Sequence, residues 1–447
     1  MEETARLTEL IKELLATGRD ERLTDVLEAA HAADVASVLR ELPLDEQVRM
    51  VRLLVPQQAG DVLAELDDTV RTEIVQSLDE TEVSRILERM PTEHVVEVVE
   101  ELPKEEADKL LDLMEEEKSE EVQEQLEYPE HSAGRLMSPE TVAVSERTTV
   151  EEAIEHIRRS ISEERAFELY VVDDHKHLVG VVPLRRLLIA DPRTPVLKIC
   201  DTEVVSVAPE TDQEDVARIV AKYDLVTVPV IDQRQHLLGT IAVDDVVDIL
   251  GREASEDIFR LAGSDAAELE RRSPREVALM RLPWVLATLL IELGAGVVIH
   301  YFDQTLSKVI LLASFMPVIQ AISGNTGLQS VTMVVRGLAT GHVVLSRWWE
   351  PLFRQVQTSS ILGGVCGLIV ALIGALWHSA AFGLVVGVSM FVSVNLSGAA
   401  GTGIPILSKR LGFDPALTAG PFETAFQDVL GISIFLSLAT ALLRWLT

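Results

Sequence analysis

Three acidic residues occur inside long apolar segments in the C-terminal part of the chain: Glu292, Glu423 and Asp428. A carboxylate at membrane depth is unfavourable unless it faces water or a partner, so each residue is a candidate for ion binding. Asp428 lies deepest in its segment, whereas an interfacial or helix-paired carboxylate is favoured for Glu292 and Glu423. Glu423 lies about 140° around an ideal helix from Asp428, which predicts that these two carboxylates do not share a site.

A second candidate is the stretch 323–327 (SGNTG), which follows Pro317 in another apolar segment. Proline and glycine there predict a broken helix whose freed carbonyls line a cavity, a recurring way to bind cations in membranes. Asn325 supplies an amide oxygen at this predicted break. The alternative is a kink with glycines for close helix contact. A further apolar segment has similar composition, with Gly398, Gly401, Gly403 and Pro405.

The types of available ligand restrict the ion. After residue 275 the histidines and the cysteine are His300, His342, His378 and Cys366, without ligand-like spacing. Zn²⁺, Ni²⁺ and Cu²⁺ prefer such ligands, so the pattern favours a hard cation. Mg²⁺ keeps much of its water and needs only one or two carboxylates. The residues themselves leave Mg²⁺, Mn²⁺, Ca²⁺ and Co²⁺ open.

The elements that hold these groups are five apolar segments, at about 282–301, 309–339, 356–377, 382–407 and 416–445. Each is long enough to cross a bilayer, which takes roughly 20 residues. Basic residues precede the first segment and lie between the second and third and between the fourth and fifth. By the positive-inside rule this predicts a multi-pass protein of the plasma or inner membrane, in contact with lipid. Its N terminus is then cytoplasmic and its C terminus outside.

The charge is concentrated in the first part of the chain. Residues 276–447 hold seven acidic and eight basic side chains, which leaves 65 of the 72 acidic and 31 of the 39 basic residues in 1–275. Such a surface disfavours nucleic acid and suits cations, although a merely solvated acidic face is the alternative. We find no Walker loop, nucleophile elbow or metal-hydrolase motif, so no enzyme is predicted.

An apolar residue recurs every twelfth position in the first part of the chain, often with Pro or Asp after it. The recurring residues are Leu42, Leu54, Leu66, Leu78, Met90, Leu102 and Met114. Short helices of this period cannot bury a core alone, so we predict an α-helical, superhelical solenoid over residues 1–130.

The segment 169–188 (LYVVDDHKHLVGVVPLRRLL) is echoed by 228–249 (VPVIDQRQHLLGTIAVDDVVDI). Each contains a strand, a polar turn, a second strand and the start of a helix. This duplication resembles a tandem pair of α/β CBS domains, which sense ions or adenosine nucleotides, over residues 131–250. A connecting helix over 251–275 and an all-α membrane domain of five helices over 276–447 follow.

The architecture as a whole resembles the MgtE magnesium channels. The most specific motifs are 317–339 (PVIQAISGNTGLQSVTMVVRGLA), 410–421 (RLGFDPALTAGP) and 427–437 (QDVLGISIFLS). The resemblance implies a homodimeric, Mg²⁺-selective channel or transporter for Mg²⁺ uptake. It also implies a pore in which Asp428 holds hydrated Mg²⁺ near the dimer axis, with Gly324 and Asn325 close by.

The resemblance further implies that intracellular Mg²⁺ binds at acidic interfaces and closes the pore. The implied ligands are Asp61, Glu93 and Glu97 of the helical domain, Glu214, the Ala221 carbonyl and Asp224 of the CBS pair, and Asp245, Asp248, Glu253, Glu256 and Asp257 at its end and on the connecting helix. Asp414 belongs to this set as a contact from the membrane part to the connecting helix. Facing acids repel unless cations lie between them, which gives such an arrangement its sensitivity to Mg²⁺.

Other interpretations stay open at this point. A nucleotide-binding CBS pair usually carries Ser/Thr-x-x-Asp after the second strand, and residues 183–186 (PLRR) and 242–245 (AVDD) lack it. Binding of ATP or another adenosine nucleotide as a cofactor is therefore left open, and the absence of the motif disfavours it. The functional alternatives are a carrier for Co²⁺, Mn²⁺ or Ca²⁺, a Na⁺-coupled Mg²⁺ exporter, and a non-conducting, membrane-anchored CBS sensor.

Overall fold

The computed structural model of the chain describes residues 2–160, 167–262, 264, 273–419 and 421–442. It divides into two compact units, Met1–Leu250 and Gly251–Thr447.

The first unit begins with short helices. They are α1 (Glu2–Thr17), α2 (Asp20–Ala29), α3 (Ala32–Leu39), α4 (Leu44–Leu53), α5 (Pro56–Ala64), α6 (Asp68–Ser77), α7 (Glu80–Leu87), α8 (Thr92–Glu101), α9 (Lys104–Leu113) and α10 (Glu116–Leu126). From α3 to α8, each helix packs against the helix two further along the chain. This is the stacking that the 12-residue recurrence predicts.

The recurring residues end the helices and fill the core. Leu54, Leu78, Leu102 and Met114 each cap a helix in an extended conformation. All seven recurring residues are buried in one apolar cluster. The chain restarts at once, because Pro and Asp after these positions set the backbone for a new helix; Asp79, for example, caps α7 through the Thr81 N–H. The repeat prediction is confirmed.

Two similar α/β halves follow. The first contains β1 (Ala143–Ser145), α12 (Val150–Ser160), β2 (Glu168–Val172), β3 (Leu178–Pro183) and α13 (Leu184–Ile189), and the second contains α14 (Gln213–Tyr223), β4 (Thr227–Ile231), β5 (Leu237–Ala242) and α15 (Val243–Leu261). The short helix α11 (Ala133–Leu136) precedes both in the chain and packs against α14 and β5 of the second half. Strand β2 pairs parallel with β1 and antiparallel with β3. Strands β4 and β5 pair antiparallel in the same relative register. The rings of His177 and His236, one from each turn, stack with centroids 4.8 Å apart. The duplication predicted from sequence is confirmed.

The second unit contains long helices. They are α16 (Pro274–Tyr301), α17 (Asp303–Lys308), α18 (Leu312–Ala339), α19 (Trp349–Trp377), α20 (Ala380–Arg410), α21 (Pro415–Ala419) and α22 (Pro421–Ala441). Within the described residues, α16, α19 and α20 are long and apolar enough to cross a membrane, and Gln427–Ala441 is a shorter apolar helix. Helix α16 turns an exposed row of Leu and Val side chains outward, as expected for a surface that meets lipid.

The predicted break in the second apolar segment is wrong. Helix α18 runs unbroken from Leu312 to Ala339, with Pro317 near its start. There the proline removes a single backbone hydrogen bond. The hydroxyls of Ser323, Thr326 and Ser330 donate to carbonyls one turn earlier in the same helix. These bonds keep the polar side chains compatible with a continuous helix.

Glycine serves close helix packing here instead. A Cβ built on Gly401 of α20 lies 2.5 Å from the Gly327 carbonyl oxygen of α18, so no side chain fits between the two helices. Helix α20 is likewise unbroken through Pro405. The packing alternative weighed from sequence is the one that the structure supports.

Candidate ion-binding sites

Two carboxyl groups meet in the apolar unit. Asp428 of α22 lies within hydrogen-bonding distance of Glu292 of α16. Both residues are partly buried. Two carboxylates this close repel each other unless a proton or a cation lies between them. The contact therefore marks a place that holds either a shared proton or a cation, and it identifies Glu292 as a helix-paired carboxylate.

The turn before Asp428 is attached to α18. Gln427 is 4% exposed, and its Nε2 donates a hydrogen bond of 2.8 Å to the Ser323 carbonyl oxygen. The Ser397 hydroxyl of α20 donates to the same carbonyl. Consecutive helical residues point about 100° apart, so Gln427 faces the bundle interior while Asp428 faces α16. Sequence reasoning missed Gln427; its signal was a long amide side chain in an apolar helix next to the candidate carboxylate.

The other predicted pore residues lie near this junction. Gly324 faces Gln427, because a Cβ built on it lies 3.9 Å from the Gln427 Oε1. Asn325 is exposed on α18, and no contact described in the structure joins it to Asp428. The side chain of Glu423 lies outside the described residues. The structure thus brings Gly324 to the segment that carries Asp428 and places Asn325 on the outer surface of the single chain.

The ligand types at the Asp428–Glu292 contact fit a hydrated hard cation. Among the described residues, no three His, Cys, Asp or Glu side chains converge as a metal site. Two carboxyl groups cannot fill the coordination shell of a dehydrated Mg²⁺ by themselves. They suit an ion that keeps several of its waters, which is the usual state of Mg²⁺ in proteins.

Asp414 contacts the connecting helix through an ion pair. Arg260, near the end of α15, donates through Nη1 to Asp414 and also pairs with Glu256 one turn earlier. The Asp414 carboxylate in addition accepts the Ala416 N–H at 2.8 Å, at the start of α21. Asp414 therefore meets the connecting helix, as predicted, but through an arginine that the sequence reasoning had not singled out.

The acids predicted on the helical domain differ in environment. Asp61 is exposed on α5, whereas Glu93 on α8 is only 5% exposed. Glu97, one turn after Glu93, lies 3.5 Å from a terminal nitrogen of Arg71, a guanidinium with 4% of its side chain exposed. Arg71 also binds Glu101 and Asp68. Glu97 is thus part of an ion cluster around a buried arginine.

The Arg71 cluster alters the acid–base behaviour of its members. Burial raises the pKa of Glu101 to about 7, and the hydrogen bond from Arg71 acts in the opposite direction. Removal of the arginine would leave acidic groups buried without their cation. For Glu97 the structure favours a stabilising role over a freely accessible ion ligand.

The acids predicted on the CBS pair are separated along α14. Glu214 lies in its first turn, and Asp224 caps its other end in a left-handed conformation with φ 52°. Ten residues of helix span about 15 Å, so Glu214 and Asp224 of one chain cannot bind the same ion. The carbonyl of Ala221 belongs to the last turn, where carbonyls lack helical partners, and so accompanies Asp224 rather than Glu214.

The remaining predicted ligands lie on α15. Asp245, Glu253, Glu256 and Asp257 are partly exposed, and Asp248 is exposed. Helix α15 runs unbroken from Val243 to Leu261, so the second CBS motif and the start of the connecting segment form one element. The predicted connecting helix extends to residue 275. Of its part after α15, residues 263 and 265–272 lie outside the described residues.

The chain matches family descriptions along most of its length. Residues 316–438 match the divalent cation transporter family MgtE, 30–131 the MgtE intracellular N domain, and 133–193 and 196–252 the CBS domain. The magnesium transporter MgtE of Bacillus subtilis is 32% identical over 98% of both chains. The magnesium transporter MgtE of Thermus thermophilus is 35% identical over 98% of this chain and 99% of its own.

Two solved structures match just over half of the chain. The soluble part of a magnesium transporter has 29% identity and a TM-score of 0.53, and it covers 56% of this chain and 99% of its own. The cytosolic domain of the Mg²⁺ channel MgtE in complex with ATP has 36% identity and a TM-score of 0.52, with coverage of 54% and 99%. With the matches above, these similarities show that the chain belongs to the MgtE family of magnesium transporters.

Proposed function

We propose that the chain is the subunit of a Mg²⁺ channel or transporter that takes up Mg²⁺ and is closed by intracellular Mg²⁺. In this proposal α16, α18, α19, α20 and α22 cross the membrane, the first unit is cytoplasmic, and the C terminus is outside. Two copies form the pore, with Asp428 near their axis. Support for Mg²⁺ as the ion comes from full-length relatives named magnesium transporters.

The observation that carries the proposal is the pairing of Asp428 with Glu292 in apolar helices. An anchor for a soluble sensor has no need of two mutually repelling carboxyls at this depth, whereas an ion pathway does. Oxygen ligands and the small number of protein donors favour a hydrated Mg²⁺ over softer metals. In this proposal Gly324 and the exposed Asn325 reach the pathway from α18 only where two copies of the chain meet.

Transport is tested with the purified full chain in liposomes, with Mg²⁺ outside, a Mg²⁺-sensitive dye inside and no Na⁺ on either side. The proposal predicts Mg²⁺ entry that depends on the protein. Parallel assays with Co²⁺, Mn²⁺ and Ca²⁺ rank the ions. Entry only with Na⁺ would favour a coupled exporter, and no entry of any divalent ion would favour the non-conducting sensor.

Closure is assigned to the acids of the first unit and α15. Mg²⁺ at these acids would relieve their repulsion and stabilise a compact arrangement that holds the pore shut. The Arg260–Asp414 ion pair joins the end of α15 to the membrane helices, together with Leu261, which packs against Val331, Val335 and Ala416. In this proposal the change reaches the helices through these contacts. Asp61, Glu93, Glu214, Ala221, Asp224, Glu253 and Asp257 are further proposed ligands, and the cluster around Arg71 makes Glu97 the weakest member of the set.

The sensor proposal is tested by replacing Asp245 and Asp248 with Ala and recording channel activity in excised patches. We expect the double variant to stay open at internal Mg²⁺ concentrations that close the wild type. Replacement of Glu105 and Asp108, two acids on α9 outside the proposed set, is a matched control for the loss of charge. Normal closure of the Asp245/Asp248 variant would contradict this part of the proposal.

Nucleotide regulation is a second proposal, favoured by the ATP complex of the 36% identical cytosolic domain. The sequence at 183–186 and 242–245 lacks the usual Ser/Thr-x-x-Asp, so binding would rely on other contacts in the CBS pair. Calorimetric titration of the full chain with ATP tests it. Saturable binding would support ATP as a regulator, and the absence of heat together with unchanged thermal stability would exclude it.

A further inference from the structure

Two buried polar atoms lie behind the Asp428 turn. The Gln427 Oε1 and the Ser393 Oγ are both inaccessible to solvent and have no hydrogen-bond partner among the described residues. Gln427 is 4% and Ser393 2% exposed. The other polar groups at this junction are engaged, because the Gln427 Nε2 and the Ser397 hydroxyl both donate to the Ser323 carbonyl. Buried polar atoms normally find a partner, so these two point to a bound molecule.

The same two residues line a small cavity between α20 and α22. It offers about 10 Å³ to the centre of a water-sized sphere, and Ser397 and Gly431 also line it. A Cβ built on Gly431 lies 4.0 Å from the hydroxyl oxygens of Ser323 and Ser393. The glycine therefore keeps open a space that a methyl group could fill without a clash.

We propose that this cavity binds one structural water, which accepts from the Ser393 hydroxyl and donates to the Gln427 Oε1, and that Gln427 thereby acts as a positioning residue for Asp428. A single water needs two to four polar partners and about this much room. The described residues that line the cavity carry no carboxylate, which favours a neutral ligand over a cation. The water joins α20 to α22, and Gln427 joins both to α18.

The consequence concerns the pore carboxylate, so the inference rests on the proposed function. With both ends of its amide held, Gln427 cannot rotate freely, and the α22 turn that it shares with Asp428 is held against α18. A pre-positioned carboxylate binds a hydrated ion without first losing conformational freedom. Loss of the water should weaken Mg²⁺ binding in the pathway without unfolding the protein.

The water itself is tested by cryo-electron microscopy of the full chain in lipid nanodiscs at about 2 Å resolution. The proposal predicts a density peak within hydrogen-bonding distance, roughly 3 Å, of both the Gln427 Oε1 and the Ser393 Oγ. A junction without such a peak, or with the two side chains bonded to each other, would overturn it. This test does not depend on transport.

The positioning role is tested by Mg²⁺ uptake into liposomes with Ser393→Ala and Gly431→Ala. Removal of the donor, or a methyl group in the cavity, should raise the half-saturating Mg²⁺ concentration by roughly fivefold, the effect of one hydrogen bond. The maximal rate and the thermal midpoint should change little. Gly431→Ala is informative because alanine in a helix normally stabilises.

Two control variants carry the same kinds of substitution, Ser→Ala and Gly→Ala, at positions away from the cavity. Ser389→Ala removes a buried hydroxyl one turn before Ser393 that donates only within its own helix, to the Val385 carbonyl. Gly364→Ala adds a methyl where no atom lies within 4 Å. Both controls should keep the wild-type half-saturating concentration.

A cycle with Asp428→Glu, which keeps a carboxylate and therefore keeps uptake measurable, decides whether the effect passes through residue 428. The longer side chain places the carboxylate elsewhere, so the Ser393→Ala and Gly431→Ala effects should shrink in that background if Gln427 acts by positioning Asp428. Equal effects in the wild-type and Asp428→Glu backgrounds, or none beyond the controls, would overturn the positioning role while wild-type uptake leaves the proposed function intact. If the wild type takes up no Mg²⁺, the proposed function fails and the positioning role fails with it, whereas the density still decides the water.

Discussion

Loss of the Arg260–Asp414 ion pair should hold the pore open at Mg²⁺ concentrations that half-close the wild type. The side chains of Arg260 and Asp414 are 38% and 32% exposed, so the contact is screened and contributes about 0.5–1 kcal/mol. Asp414→Asn removes the charge that pairs with Arg260. Arg260→Gln removes the same pair. Its bond to Glu256 lies within α15 and is the same in both forms of the channel, so the expected effect on gating is again about 0.5–1 kcal/mol.

These energies translate directly into a gating ratio. If the pair stabilises the closed form, Asp414→Asn should raise the ratio of open to closed channels by about two- to fivefold. Arg260→Gln should raise it by a similar factor, because it removes the same contact between α15 and the membrane unit. Single-channel recording at the internal Mg²⁺ concentration that half-closes the wild type measures the ratio. Glu350→Gln, which removes an exposed Arg347–Glu350 contact at the start of α19, is the control.

The charge-swapped pair sharpens the test. Arg260→Asp combined with Asp414→Arg should restore part of the closing that either single reversal removes, because the two charges still attract. The reasoning is refuted if the single variants close normally, or if the double reversal shows no coupling between the two positions.

Three more predictions concern other parts of the fold. Arg71→Ala should destabilise the helical domain by about 3–5 kcal/mol, because it leaves the Glu101 carboxylate buried without its cation, and faster hydrogen exchange of α6–α8 in the full chain should report it. Gly401→Val should lower the thermal midpoint, since its Cβ meets an α18 carbonyl at 2.5 Å, whereas valine at Gly403, with no atom within 4 Å, should be tolerated. The hydrogen bond from His177 lowers the pKa of Asp173 to about 2. The stabilisation this gives is complete above the ordinary pKa of about 4 and is lost as the pH falls through about 2. Titration by NMR should show the Asp173 pKa rising in His177→Ala.

The elements of the fold were largely predictable from sequence because their patterns are local. The recurrence from Leu42 to Met114 marks residues that lie where helices end and that pack into the core. A repeat of 12 residues is only long enough for one short helix and the turn that starts the next. The doubled strand–turn–strand pattern is equally local, since each hairpin pairs with its own neighbour. Composition alone was enough to show that residues 276–447 are apolar, with a net charge close to zero.

The wrong expectation was the break at 323–327. Glycine, proline and hydroxyl side chains weaken a helix in isolation, and their types do not say whether a neighbouring helix compensates. Here Ser323 bonds within its own helix, and Gly401 allows close approach of α20. The contact with Gly401 comes from a segment more than 70 residues away, which no local pattern reveals.

The sequence predicted several residues of the candidate ion-binding sites, but it did not predict which of them contact each other. Asp428 stood out as a charge in an apolar segment, and Glu292 as a paired carboxylate, but nothing in the spacing indicated that they pair with each other. Arg71 and Arg260 were missed because an arginine in an acidic, solvated sequence looks unremarkable until its burial is known. The sequence likewise did not show that Glu97, an expected Mg²⁺ ligand, already pairs with Arg71 of its own domain.

The central claim is that Asp428 holds the conducted ion. Mg²⁺ uptake by the full chain in liposomes, compared between the wild type and Asp428→Ala, tests it most directly, with Asp303→Ala as an exposed acid of the same unit for control. We expect uptake to be abolished by Asp428→Ala and retained by Asp303→Ala, with both proteins folded and incorporated equally. Wild-type uptake in Asp428→Ala would contradict the account.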